Sequence, residues 1–171
     1  MLVLSNNLLS KQILSIRTTT PIADVISPII NPNNLKIEGF YTRDRYSKKI
    51  LILLAQDIRE VIDNGYIVND HEVLTHPEEL VRLKEIMDIN FSLINKKVET
   101  VSRQKVGKVA DYATEIGSMF IQKLYVIKPI YKNLNNGSLV IDRGQINEIT
   151  PQKIIINELL NPALANAGVT I

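Results

Sequence analysis

The chain has 171 residues, of which 45% are hydrophobic and 22% charged. That balance excludes intrinsic disorder and suits either one medium domain or two small ones. A formal net charge of +2 sets no overall expectation of nucleic-acid or membrane binding. The absence of cysteine excludes disulfides, thiolate nucleophiles and cysteine metal sites.

Taken in chain order, Met1 to Ser10 is apolar but lacks a basic stretch and is interrupted by Asn6-Asn7, so it does not read as a signal peptide. No apolar run approaches the roughly 18–20 residues of a membrane-spanning helix. The expectation is a soluble, cytoplasmic protein without membrane insertion. Ile13 and Ile16 open a first strand, and Pro21-Ile22-Ala23-Asp24-Val25 alternates with the two-residue period of a half-buried strand. Asn31-Pro32-Asn33-Asn34 has turn chemistry, because Asn tolerates left-handed backbone angles and Pro presets φ. The apolar run Leu35 to Tyr41 completes a hairpin. Ile50 to Leu54 and Ile67-Val68 read as short buried strands that close a unit.

The next stretch differs in kind. Thr75-His76-Pro77-Glu78 fits a capping box, and Pro77 is acceptable in a first helical turn. Leu80, Leu83 and Met87 recur at helical spacing, with Val81 and Ile86 widening the stripe. A helix of about three turns ending near Asp88 or Asn90 is predicted, docked by its apolar stripe.

Beyond it the pattern begins again. Leu8 to Ile16 aligns with Leu93 to Val101 at an offset of 85, and Ile22 to Val25 with Val106 to Val109 at 84. Leu35 to Tyr41 aligns with Met119 to Tyr125 at 84, Asp57 to Val61 with Gln145 to Ile149 at 88, and Tyr66 to Asp70 with Ile154 to Glu158 at 88. The offsets change only in turn-like stretches, where insertions are tolerated. In the second copy Glu115-Ile116-Gly117-Ser118 replaces the Asn-Pro turn with Gly. Its strand from Lys105 is predicted to run on to Thr114, and Leu139 to Ile141 and Ile154 to Ile156 match the later strands. The expected organisation is a first small β-barrel at 1–74, a helical linker at 75–90, a second barrel at 91–160 and a loose tail at 161–171. The fold class is mainly β.

Leu93-Ile94-Asn95-Lys96-Lys97-Val98 and Gln104-Lys105-Val106-Gly107-Lys108-Val109-Ala110-Asp111 resemble the opening of the PRC-barrel family. Leu54-Ala55-Gln56-Asp57-Ile58-Arg59 and Ile67-Val68-Asn69-Asp70 resemble its closing half. Ser10 and Asn95 stand where the family favours Gly, and Ala23 where the second copy keeps Gly107. The resemblance spans residues 8 to about 160 and implies two small PRC-type barrels in tandem joined by a short α-helix. In that family such barrels occur in a ribosome-maturation factor, in the photosynthetic reaction-centre H subunit and in archaeal cell-division adaptors. They serve there as docking modules without covalent chemistry of their own.

The residues themselves offer little chemistry. His71 and His76 lie five apart at one junction and read as solvated, not as a metal pair. Asp57, Glu60, Asp63, Asp70 and Glu72 fall on turns and strand edges, where acidic residues are normally solvated. No phosphate-binding glycine loop is present, and lone Gly107 reads as permitting close backbone approach within a strand. No catalytic residue, cofactor or metal is expected.

Charge is the one uneven feature. Basic minus acidic residues give 8 − 8 = 0 over 1–74, 2 − 4 = −2 over 75–92 and 10 − 6 = +4 over 93–171. Arg103, Lys105, Lys108, Lys123, Lys128 and Lys132 form a candidate basic contact face on the second module, and Arg43, Arg45, Lys48 and Lys49 cluster in a first-module loop. Stacking aromatics are few. The expected function is a non-enzymatic adaptor or scaffold that binds a protein partner. The alternative is an RNA- or ribosome-associated factor, active in rRNA processing or ribosome maturation, that uses the basic face.

Overall fold

A computed structural model describes residues 1–128 and 138–159 of the chain. The tail at 161–171 and Lys132 lie outside the described residues. The two-residue period of the sequence becomes two mainly antiparallel sheets. β2 (Gln12–Ser15), β3 (Pro21–Asn31), β4 (Lys36–Asp44), β5 (Ile50–Leu54), β6 (Glu60–Ile62), β7 (Gly65–Val68) and β8 (Leu74–Thr75) form the first, in the order β6-β7-β2-β3-β4-β5-β8. β9 (Lys97–Thr100), β10 (Lys105–Glu115), β11 (Ile121–Ile127), β12 (Leu139–Asp142), β13 (Ile146–Ile149) and β14 (Lys153–Ile156) form the second, ordered β12-β11-β10-β9-β14-β13.

Pairing repeats strand for strand. β2 runs parallel to β7 and β9 parallel to β14, while Phe40 opposes Leu53 as Leu124 opposes Ile141. β3 and β10 have 11 residues each, so the longer strand predicted for the second copy exists in both. The resemblance implied closed barrels. Both sheets are instead open among the described residues, the first ending at β6 and β8 and the second at β12 and β13. In the first sheet the two-residue β8 occupies the edge of β5 and forms the end of the sheet opposite β6.

The lysine of each opening motif has a structural task. The Lys11 Nζ donates to the Ile62 and Asp63 carbonyls at 2.6 and 2.8 Å, and the Lys96 Nζ donates to the Pro151 carbonyl at 2.7 Å. Asp63 and Pro151 are equivalent at the 88-residue offset, so each ammonium caps the turn of the same hairpin. Burial pushes both ammonium groups down from the ordinary lysine value. Of the two motif positions that favour Gly, Asn95 takes a left-handed φ of 67°, which Asn tolerates. Ser10 keeps a φ of −88°, so the first copy dispenses with that turn.

The two sheets share one continuous core, which includes Ile13, Phe40, Leu53 and Tyr66 of the first module and Val98, Leu124, Ile141 and Ile154 of the second. Each fully buried aliphatic side chain contributes about 1.5–3 kcal/mol. At the seam, the β3–β4 and β10–β11 hairpin tips pair with each other. The Ile37 N–H donates to the Met119 carbonyl at 2.8 Å and the Ile121 N–H to the Leu35 carbonyl at 2.9 Å. Both pairs obey the 84-residue offset, so the seam is self-complementary in the manner of a two-fold dimer interface. Leu35 and Met119 hold left-handed φ angles of 51° and 58° although neither is Gly or Asn. The turn chemistry predicted at Asn31–Asn34 and at Gly117 therefore misplaced the left-handed residue. Burial of both side chains and the reciprocal hydrogen bonds hold it at Leu35, one position after Asn34, and at Met119, two after Gly117.

The N-terminus ties the modules together. β1 (Leu2–Leu4) joins the second sheet, antiparallel to β10, with Val3 opposite Thr114. Residues 2–4 thus belong to the second sheet, not to the first module where the sequence placed them. α1 (Ser5–Leu9) follows, its start held by the Asp111 Oδ1, which accepts from the Ser5 N–H at 3.2 Å and the Ser5 hydroxyl at 2.5 Å. The linker is likewise a correction. Thr75 is drawn into β8 opposite Ile52, and its hydroxyl donates to the Val73 carbonyl, so no capping box forms. Short 3-10 turns at Pro77–Glu79 and Val81–Leu83 come next, and only Lys84–Ile89 is α-helical (α2). Leu80, Leu83, Ile86 and Met87 of the predicted stripe are half-buried, Val81 is exposed, and α2 packs on β3. The segment leading into each module therefore lies on the other module's long strand.

Candidate functional site

The predicted basic residues do not all share one face. Arg103 is exposed in the β9–β10 turn with a φ of 68°. Lys105 opens β10 opposite Glu99, and Lys108 stands exposed between Lys97 on β9 and Ile127 on β11. Lys123 on β11 is bound by Asp142 at 2.9 Å, a contact that raises the lysine pKa and neutralises its charge locally. Lys128 is exposed just beyond β11.

Two residues outside the predicted set complete a pattern. On the outer face of the second sheet Lys153 on β14 sits beside Lys97 on β9, and Lys97 sits opposite Lys108 on β10. Three lysines thus form a row across three adjacent strands, each step roughly 4.8 Å. Val98, Val109 and Ile154, one position along each strand, are buried. Alternation therefore turns the lysines outward. Like charges directly opposite one another on a sheet are unfavourable, and the carboxylate next to the row on β9 is Glu99. Glu99 accepts from the Lys153 Nζ at 2.7 Å. That hydrogen bond, with the nearby charges of Lys153, Lys105 and Lys97, holds the Glu99 carboxyl below its ordinary value. Among the described residues Lys97, Lys105 and Lys108 have no ion-pair partner.

The first module has no such row. The same register positions are Gln12, Asp24 and Gly65. Asp24 is gripped by Arg45, whose Nε and Nη2 donate at 2.9 and 2.6 Å. Duplication gave the two outer faces one geometry, and their side chains give them different charge.

His71 keeps 43% of its side chain exposed, yet it is not without a partner. Its Nε2 lies 2.7 Å from the Asp44 Oδ1, and Asp44 is buried at 1% exposure. The other Asp44 oxygen accepts from the Ser47 N–H at 2.8 Å and the Ser47 hydroxyl at 2.5 Å. Burial alone would raise the Asp44 carboxyl, but the Ser47 and His71 hydrogen bonds outweigh it and hold it at about 2. Because the folded value lies below the unfolded one, this carboxylate stabilises the fold above about pH 4 and loses that contribution as pH falls toward 2. Asp44→Asn is expected to remove about 2 kcal/mol of stability at pH 7 and to flatten the acid limb of the stability profile between pH 4 and 2. Urea titrations at stepped pH check both. The pair latches the 3-10 turn at His71–Val73 to the β4–β5 connection. His76 is exposed and does not join it. The carboxylates at Asp57, Glu60, Asp63, Asp70 and Glu72 form no shared centre. Among the described residues no group of three or more His, Asp or Glu side chains could hold a metal.

Clefts of about 460 Å³ lie between the linker and β4, lined by Lys36, Glu38, Gln56, Glu79 and Arg82, and at the module seam around Asn34, Arg143 and Glu148. Arg143 closes the seam, donating to the Asn34 and Ile121 carbonyls while its guanidinium lies 4.8 Å from the Phe120 ring centroid. No helix of the described chain is long and apolar enough to cross a membrane. No family model matches the chain, and no curated protein matches it in sequence.

Proposed function

We propose that the chain is a non-enzymatic, PRC-barrel-like adaptor that binds a protein partner in the cytoplasm. One observation carries this reading: two modules are locked by a reciprocal seam and a crossing N-terminal strand, yet present sheet faces of different charge. A rigid pair of unlike faces suits holding partners in a fixed relation better than turning over a substrate. The whole chain, tagged and isolated under native conditions, is expected to retain a protein partner in stoichiometric amount. Recovery of the chain alone, from cross-linked as well as untreated cells, contradicts it.

A second reading is favoured by the lysine row. An RNA- or ribosome-associated factor would place Lys97, Lys105, Lys108 and Lys153 against phosphates, and its binding would weaken steeply with salt. Failure to co-sediment with ribosomes or to bind RNA at low salt removes it.

A further inference from the structure

Resting on that second reading, we infer that the Lys153–Lys97–Lys108 row, with Lys105 beside it, is a binding site for the sugar-phosphate backbone of single-stranded RNA, engaged without regard to base sequence. The row spans two inter-strand steps, roughly 10 Å; Glu99 pairs with Lys153, and Lys97, Lys105 and Lys108 have no ion-pair partner among the described residues. Sheet pairing fixes the three Cβ positions, so Lys97 and Lys108 are held near one another by the backbone, while the Lys153 ammonium is held by Glu99 as well. An anion laid along the row removes the repulsion that the folded chain otherwise retains.

A protein partner fits this face less well. Protein interfaces bury an apolar centre and are depleted in lysine, whereas here the row itself is the centre of the face and Ile127 stands at its end. Duplex recognition calls for an element inserted into a groove or spanning two of them, and a sheet face offers neither. A single strand lies along a basic surface. Among the described residues the outer face carries one aromatic, Tyr125, flanked by Asp111 and Val140. The chemistry available is therefore contact with phosphates, which positions the strand and carries no sequence information.

The test is fluorescence anisotropy with a labelled 20-nucleotide single-stranded RNA of mixed sequence, titrated with the whole chain at several salt concentrations. Four phosphate contacts give a log–log salt slope of about −3 for a single strand. A triple variant, Lys97→Gln, Lys108→Gln and Lys153→Gln, is expected to bind at least about tenfold more weakly at low salt, with the slope reduced by about 2. The charge-matched control replaces Arg43, Lys48 and Lys49 of the first module with Gln and is expected to stay within about threefold of the original chain. Relief of the Lys97–Lys108 repulsion offsets loss of the Lys153–Glu99 ion pair, so the triple variant is expected to melt close to the original, which separates lost contacts from lost folding.

If the original chain binds RNA with a steep slope but the triple variant binds no worse than the control, the site is wrong and the RNA reading stands. If the original chain binds no RNA at low salt, both fall. Competition by a charge-matched poly-glutamate peptide as effective as that by RNA assigns the face to an acidic protein segment and overturns the proposal. Tighter binding of duplex RNA, or dependence on base sequence, overturns it as well.

Discussion

Tyr66→Ala is expected to cost about 3–5 kcal/mol of stability, the largest effect of any single substitution considered for this chain. Tyr66 is fully buried, its ring centroid lies 5.0 Å from that of Phe40, and its hydroxyl donates to the Leu8 carbonyl at 3.2 Å. Truncation opens a cavity where β7 meets β4 and also releases the C-terminal half of α1, the segment that straps the two modules together. Burial, followed by the influence of Tyr112, pushes the phenol well above its ordinary value, so the hydroxyl remains a donor across the range in which the protein can be handled. Tyr66→Phe keeps the ring and loses only the hydrogen bond, for an expected cost of about 1 kcal/mol. Urea unfolding measures both: the midpoint falls far for Ala and slightly for Phe, and a slope unchanged between the two marks an effect on stability alone. Equal losses for the two variants would mean that the ring does not pack as described.

Gly107→Ala is the second large effect. Gly107 has a φ of 156°, and a Cβ added there would meet the Ile127 carbonyl oxygen at 2.1 Å and the Val126 Cγ1 at 3.0 Å. The obstacle is the backbone of the neighbouring strand, which cannot rotate aside. Overpacking of about 1–3 kcal/mol and conformational strain of similar size give an expected loss of roughly 2–4 kcal/mol. For a chain of this length that corresponds to a melting temperature lower by roughly 5–15 °C. The first-module counterpart, Ala23, is buried without a positive φ. Ala23→Gly is therefore expected to cost only about 0.5–1 kcal/mol. Thermal melts of the two variants side by side check the asymmetry, and a Gly107→Ala chain that melts with the original contradicts it.

Much of this architecture was legible in the sequence because it depends on local period and on repetition. The alternation of Ile22 and its neighbours, the constant offsets between copies, the docked stripe of the linker and the close approach at Gly107 all follow from such signals. What escaped depends on contacts remote in sequence. Thr75 and Glu78 spell a capping box, yet the edge of β5 claims Thr75 first. Nothing near Leu35 or Met119 announces a left-handed residue, since the requirement arises from the other module's hairpin. Met1 to Leu9 looks like an apolar leader to its own module, and only the edge of β10 shows where it goes.

The candidate site divides in the same way. Lys105 and Lys108 were found because charge clusters along the chain, but Lys97 and Lys153 lie 56 residues apart and meet through the parallel β9–β14 pairing. Lys123 belonged to the predicted face by sequence, and Asp142 on the next strand takes its charge. Asp44 and His71 are 27 residues apart. Their pairing follows from the position of the 3-10 turn after β7, which no spacing in the sequence reveals.

The two modules being one pseudo-symmetric unit, and not two domains on a tether, is open to a direct measurement. A site-specific protease sequence placed between Val81 and Arg82, both exposed in the linker, lets the chain be cut after it has folded. Native mass spectrometry of the cut protein is expected to show a single 1:1 complex with the mass of the intact chain, held by the hairpin seam and by β1 on the second sheet. Two separate fragments at micromolar concentration, each still folded, would contradict it.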